Sequence, residues 1–160
     1  MSTQLENRPI IQKGQRYKRA PRDTSAFMFP KDDVYRNPAL LRLALGQNCT
    51  LMFNHGAGHD PATVVSAHSN SAAHAKGKSQ KSHDNMICWA CANCHSILDQ
   101  GKQMSRPEKE RAFANAMRET RFQLFVKGLI KTESGVDFAK AMNDDTYWLA
   151  CWRDGLVRVA

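Results

Sequence analysis

The sequence predicts an α+β fold in which a small zinc-stabilised core of two strands and a helix is flanked by further helices. Three observations carry that prediction. Cys91-Ala92-Asn93-Cys94-His95 is a C-x2-C pair with a histidine behind it. At this spacing a tight turn aims both sulfurs at one tetrahedral zinc, about 2.3 Å from each. Short runs rich in β-branched and aromatic residues precede the pair, and an amphipathic helical run follows it. The middle of the chain is dense in His, Lys and Ser. It leaves little apolar material for a core, so a bound metal would contribute to folding.

A length of 160 residues suits one domain with appendages. The 23 basic and 15 acidic residues give a net charge of +8, which favours a polyanionic partner such as DNA. Five cysteines is an odd number, and no apolar run resembles a signal peptide or a membrane span. These features argue against a secreted disulfide scaffold and predict a cytoplasmic protein with no membrane association.

Residues 1–36 carry eight Lys/Arg against four acids, with prolines at 9, 21 and 30 and no sustained apolar period. They read as a basic arm suited to phosphate contact. Asn37-Pro38 opens a helix with Leu40, Leu41, Leu43, Ala44 and Leu45 as apolar positions, and Gly46 ends it. Cys49 follows, then a predicted strand Thr50-Leu51-Met52-Phe53 and a loop holding His55 and His59. A second strand, residues 63–67, delivers His68 at its end.

Residues 69–84 hold His74, Lys76, Lys78, Lys81 and His83 among serines and alanines. Such a stretch cannot bury itself, and it reads as a mobile loop or a strip that lies on phosphate. Met86-Ile87-Cys88-Trp89 is a predicted strand, followed by a helix from about Asn93 to Gly101. Pro107 starts a long amphipathic helix with Phe113, Ala116, Met117, Phe122 and Phe125 on its buried face, and Gly128 stops it.

The tail repeats loosely. Phe113-Ala114-Asn115-Ala116-Met117 recurs as Phe138-Ala139-Lys140-Ala141-Met142, and Lys127-Gly128-Leu129-Ile130-Lys131 is echoed by Asp154-Gly155-Leu156-Val157-Arg158. Both copies read as packing elements, as do Cys151, Tyr147, Trp148 and Trp152. The expected organisation is a basic arm over 1–36, a metal-bearing domain over 37–131, and a helical extension over 132–160 packed on the core.

Strand, histidine, basic loop, strand, Cys-x2-Cys-His and helix is a ββα-metal order. In such a unit a histidine ending the first strand takes a proton from water. A histidine on the helix holds a divalent cation against the scissile phosphate. His68 fits the first role and His95 the second.

These features resemble the HNH endonucleases, and more closely the YbcO-like nuclease family of phages and prophages, from about Leu41 to Asp99. The residues carrying the resemblance are Leu41 to Cys49, Pro61 to His68, and Ala90-Cys91-Ala92-Asn93-Cys94-His95 with Asp99 after it. The resemblance implies a ββα-metal or treble-clef-like fold, a four-ligand structural zinc and nuclease activity. It also implies Cys49, Cys91 and Cys94 as zinc ligands, His68 as general base and His95 as ligand of the catalytic metal.

Two positions depart from the pattern. Ala57 stands where the family supplies a second cysteine, so the fourth zinc ligand falls to His55 or His59, with His55 preferred because it lies within the span that cysteine would close. Cys88 is a third option, more simply packed inward. Ala67 stands where HNH enzymes often place a metal-binding Asp or His. The catalytic ion then needs another ligand, with Asp84, His83 and Asp99 as candidates.

The expected function is therefore a phage-type, metal-dependent DNA endonuclease with structural Zn²⁺ and a catalytic Mg²⁺ or Mn²⁺. Lys76, Lys78 and Lys81 would neutralise the DNA backbone. Recombination or replication intermediates are the candidate substrates, and phage recombination or replication proteins the candidate partners. The alternative is a zinc-stabilised DNA-binding or adaptor module without catalysis.

Overall fold

Residues 33–53, 58–77 and 79–160 are described by the computed structural model, and they fall within one compact unit, Asp32–Ala160. Most of the basic arm, His55 and Lys78 lie outside the described residues. The fold is a small mixed α+β domain.

Helix α1, Pro38–Arg42, is opened by Asn37, whose side chain accepts a hydrogen bond from the Leu40 amide. It is shorter than the sequence suggests. Beyond Arg42 the amides reach back only three residues, Leu45 to Arg42 and Gln47 to Ala44. The chain therefore continues as tight turns to Gly46, which has φ +72°. The strand expected at 50–53 is absent, because Met52 has φ 47° and a left-handed residue cannot continue a ladder. Thr50 alone pairs with the neighbouring strand, its amide donating to the Trp89 carbonyl at 2.8 Å.

Strands β1, Val65–His68, and β2, Ile87–Ala90, pair antiparallel, with Ala67 opposite Cys88 and His68 opposite Ile87. All four residues of β2 are buried. Between the strands, residues 69–77 and 79–86 are more ordered than their composition suggests. A 3-10 turn spans Ala72–His74 and a bridge joins Gly77 to Gln80, while Ser82, His83, Asp84 and Asn85 are buried. Polar partners supplied by residues 35–37 allow this burial. Arg36 donates to the Ser82 and Lys81 carbonyls and to Asp84, the Tyr35 amide to His83, and the Asn37 amide to Asp84.

Helix α2, Ala92–Gln100, follows β2 at once, with Cys91 as its N-cap. Gly101 stops it where space is short, since a Cβ there would lie 2.5 Å from the Ile97 carbonyl oxygen. Helix α3, Arg106–Val126, starts at Ser105, whose amide donates to Glu108 at 2.7 Å. Its buried face is Phe113, Ala116, Met117, Thr120, Arg121 and Leu124. Phe122, expected on that face, is exposed because it lies nine residues after Phe113, about half a turn out of phase. Phe125 is half-buried, edge-on to Phe138 with centroids 4.9 Å apart.

The tail's repeat has a structural counterpart. Gly128 follows α3 and leads into β3, Ile130–Thr132; Gly155 follows α5, Asp145–Arg153, and leads into β4, Val157–Val159. Both glycines have positive φ, +62° and +72°, and the two strands pair with each other, Ile130 opposite Val159. The second copy is broken in two, with α4 spanning Phe138–Asn143 ahead of α5. Trp148, Cys151, Trp152 and Val157 join Leu40, Val64, Trp89 and Leu124 in the core. None of the described helices is long and apolar enough to cross a membrane.

Candidate metal centre and histidine cluster

Cys49, His59, Cys91 and Cys94 converge, their ligand atoms all within 4.8 Å of one another. His59 Nδ1 lies 3.5 Å from the Cys91 sulfur and 3.6 Å from that of Cys94. A tetrahedral zinc with ordinary Zn–S and Zn–N bonds separates such atoms by about 3.6 Å, so the donor set and its spacing fit zinc.

Local structure explains why His59 arrives there. Gly58, at φ +71°, turns the chain ahead of it, and Asp60 caps the 3-10 turn Pro61–Thr63. The Thr63 hydroxyl then accepts the Ala92 amide at 3.2 Å, fastening that turn to the start of α2, where Cys91 is the N-cap. His55, the preferred fourth ligand from sequence, lies outside the described residues, whereas His59, the other candidate, completes the group. Cys88 faces inward on β2, fully buried, and burial pushes its thiol up.

Electrostatics also favour a cation here. Burial pushes the Cys94 thiol up, and the negative charge of Cys49 adds to it. Burial works against ionisation of Cys49 as well, yet backbone hydrogen bonds around Cys91 and Met52 hold its thiol below the usual range. A cation between these sulfurs would offset the cost of ionising the buried Cys94 thiol beside Cys49.

His68 ends β1, half-buried, with Nε2 3.0 Å from Asp84 Oδ1. Burial opposes ionisation of Asp84, but hydrogen bonds from His68, the Asn37 amide and Arg36 outweigh it and hold the carboxyl below the usual carboxylate range. An ionised Asp84 can only accept, so the proton of a neutral His68 sits on Nε2 and Nδ1 keeps its lone pair. Nδ1 is the basic atom of this ring.

His95 lies on the first turn of α2, half-exposed, with Nε2 3.3 Å from Asp99 Oδ2 one turn later. Asn70, two residues beyond β1, donates to the other oxygen of Asp99 at 3.2 Å. Of the three extra ligands considered from sequence, Asp99 is the one beside His95. Asp84 is turned to His68, and His83 accepts the Tyr35 amide. Among the described residues no hydrogen bond or ion pair joins His68 to His95. Lys76 is half-buried, and Lys81 is exposed beside the Arg36 clamp.

One constellation went unread in the sequence. His74 Nδ1 lies 2.7 Å from Ser69 Oγ and its Nε2 3.0 Å from Asp145 Oδ2, while Arg121 Nη2 meets Asp145 Oδ1 at 2.6 Å. Burial opposes ionisation of Asp145, but His74 and Arg121 bring its carboxyl down to about 2. The one signal available was Arg121 itself, a cation at a phase of α3 where the helical period places an apolar side chain. It is buried against the Trp148 ring, 5.3 Å from the centroid.

A two-stranded antiparallel pair followed by a helix, with a Cys3His group where they meet, defines the class: a small mixed α+β domain with a candidate metal centre. Residues 38–128, more than half of the chain, match the family described as "Putative nuclease YbcO". The chain belongs to the YbcO family. A solved structure titled "Structure of a putative bacteriophage protein from Escherichia coli str. K-12 substr. MG1655" is 21% identical. It covers 54% of this chain and 95% of its own, with a TM-score of 0.42. No curated protein matches.

Proposed function

We propose that this protein is a metal-dependent DNA endonuclease of HNH-like, ββα-metal type, with structural zinc at Cys49, His59, Cys91 and Cys94. Membership in a nuclease family supports the general activity. The observation that carries the detailed reading is the His68–Asp84 pair at the end of β1, which leaves a basic ring nitrogen there. His68 Nδ1 accepts the proton of the attacking water, and Asp84, held by Arg36, stabilises the imidazolium that results. His95 and Asp99 offer two ligand atoms on one face of α2, enough for an ion that keeps several waters and takes its remaining ligand from the phosphate. A divalent cation held there would supply charge stabilisation on the leaving oxygen.

Lys76, Lys78, Lys81 and the basic arm would neutralise the DNA backbone without reading bases. The substrate would then be chosen by shape, as with phage recombination or replication intermediates, and the setting would be the bacterial cytosol. A zinc-stabilised binding module without catalysis is the second reading. It is favoured by Ala67, which offers no ligand beside His68, and by Ala57, which stands where the family supplies a cysteine.

Nicking of supercoiled DNA by zinc-replete protein under Mg²⁺ or Mn²⁺ titration separates the two. Catalysis by His95 and Asp99 predicts metal-dependent nicking, and predicts that His95→Ala needs at least about tenfold more Mn²⁺ for the same rate. Salt-sensitive DNA binding with no nicking at any metal concentration would leave the binding module.

A further inference from the structure

The Ser69–His74–Asp145 chain forms one wall of an open cavity of about 680 Å³ bounded by the β1–β2 connection, α2, α3 and the start of α5. Its other walls are of a different chemistry. Leu98, Met104, Phe113 and Met117 supply an apolar lining, and Arg106 and Lys109, on the first turn of α3, add two cations. Asn70 lines the cavity and also bonds Asp99, which holds His95. The cavity therefore opens beside the residues assigned to the scissile phosphate.

We propose that this cavity receives an unpaired nucleobase of the DNA strand being cut, an inference that rests on the nuclease reading only for its place beside the cleavage site. A base has two apolar faces and a polar edge, and the cavity presents apolar side chains on one side and hydrogen-bonding groups on the other. Flat rings gain from packing against Phe113 and the two methionines. The ring edge meets Ser71, Asn70 and the Asp145 carboxylate, whose orientation is fixed by the bonds to His74 and Arg121. Lys109 suits a phosphate beside the nucleotide. Glu110 also lines the cavity, but it is paired with Arg106 at 2.8 Å, so it does not repel the strand as a free carboxylate would.

An already unpaired base enters without the cost of leaving a stack, so such a pocket selects bulges, flaps and single-stranded junctions over intact duplex. The residues that build it come partly from the C-terminal extension, through Asp145. That segment is thus assigned a part in substrate choice.

The test is a binding titration of zinc-replete protein, without Mg²⁺ or Mn²⁺, against duplexes carrying 2-aminopurine either fully paired or as a single-base bulge. The parent is expected to bind the bulge about tenfold more tightly than the paired duplex and to change the probe's fluorescence only there. Ala114→Phe, which fills the cavity from α3, is expected to bring the two affinities together, with circular dichroism confirming its fold. Should that variant not fold, Met104→Ala serves instead and is expected to lower the preference about threefold. Equal affinities in the parent, or a preference unchanged in a folded variant, would overturn the proposal. Adding Mn²⁺ afterwards separates the two readings: a bulge preference without cleavage keeps the pocket and removes the nuclease.

Discussion

At the scale of single residues, the pairings that matter join positions far apart in sequence. Asp84 is 48 residues from Arg36 and 16 from His68. His68 was legible as a strand-ending histidine before a basic loop. Asp84, one of the candidate metal ligands, bonds His68 Nε2 at 3.0 Å, and no local pattern announces such a partner. Asp145 was similarly invisible, because an acid in the first turn of a helix has a sufficient local explanation in the helix dipole. Its carboxyl is depressed to about 2 in the folded chain. It therefore stabilises the fold above the ordinary carboxylate pKa of about 4, and that contribution is lost as pH falls from about 4 towards 2. Asp145→Asn leaves the buried Arg121 without its counter-charge. Because the Asp145 side chain is 40% exposed and partly screened, the expected loss is about 2 kcal/mol, below that of a fully buried pair. Urea unfolding should show this difference at pH 7 and a much smaller one at pH 2.5.

At the scale of elements, punctuation residues were the most readable. Pro38, Gly101, Pro107 and Gly128 mark helix ends within a residue or two of the observed bounds, because proline lacks an amide and glycine tolerates positive φ or close approach. Gly128→Ala, placed at φ +62° with open space around its Cβ, should cost about 1 kcal/mol by thermal or urea unfolding, all of it backbone strain. The failures have equally definite causes. Thr50–Phe53 has strand composition, but Met52 turns left-handed just after Cys49 enters the metal group. On α3, Phe122 is hydrophobic but out of phase with the buried stripe, and phase decides its exposure. Thr120 and Arg121 sit on the true stripe, and the Thr120 hydroxyl accepts the Trp89 amide at 3.1 Å and pairs with Thr50 at 2.9 Å.

At the scale of the whole molecule, three chain segments meet at the Cys3His group: the stretch after α1, the loop before β1, and the start of α2. A metal held by these four side chains would tie the three segments together beside a small core. Of the four candidate ligands, Cys91 and Cys94 were legible from their spacing and Cys49 from the family resemblance. His59 reaches the group through the tether from Asp60 through Thr63 to Ala92, which no local pattern in the sequence announces. Removing zinc with a chelator should lower the melting temperature by on the order of 10 °C or more. Cys94→Ser should do the same and should bind less than one zinc per chain by metal analysis. A melting curve indifferent to chelator would remove the metal from the account.

The proposed nuclease depends on that frame presenting one basic nitrogen, and the most direct measurement is the single-turnover cleavage rate of supercoiled DNA at saturating Mn²⁺ for the parent and for His68→Ala. Loss of the general base should slow cleavage by about 10²–10⁴-fold while DNA affinity at fixed salt stays unchanged. Equal rates in the two proteins would contradict the assignment of His68 as the base and the geometry built on it.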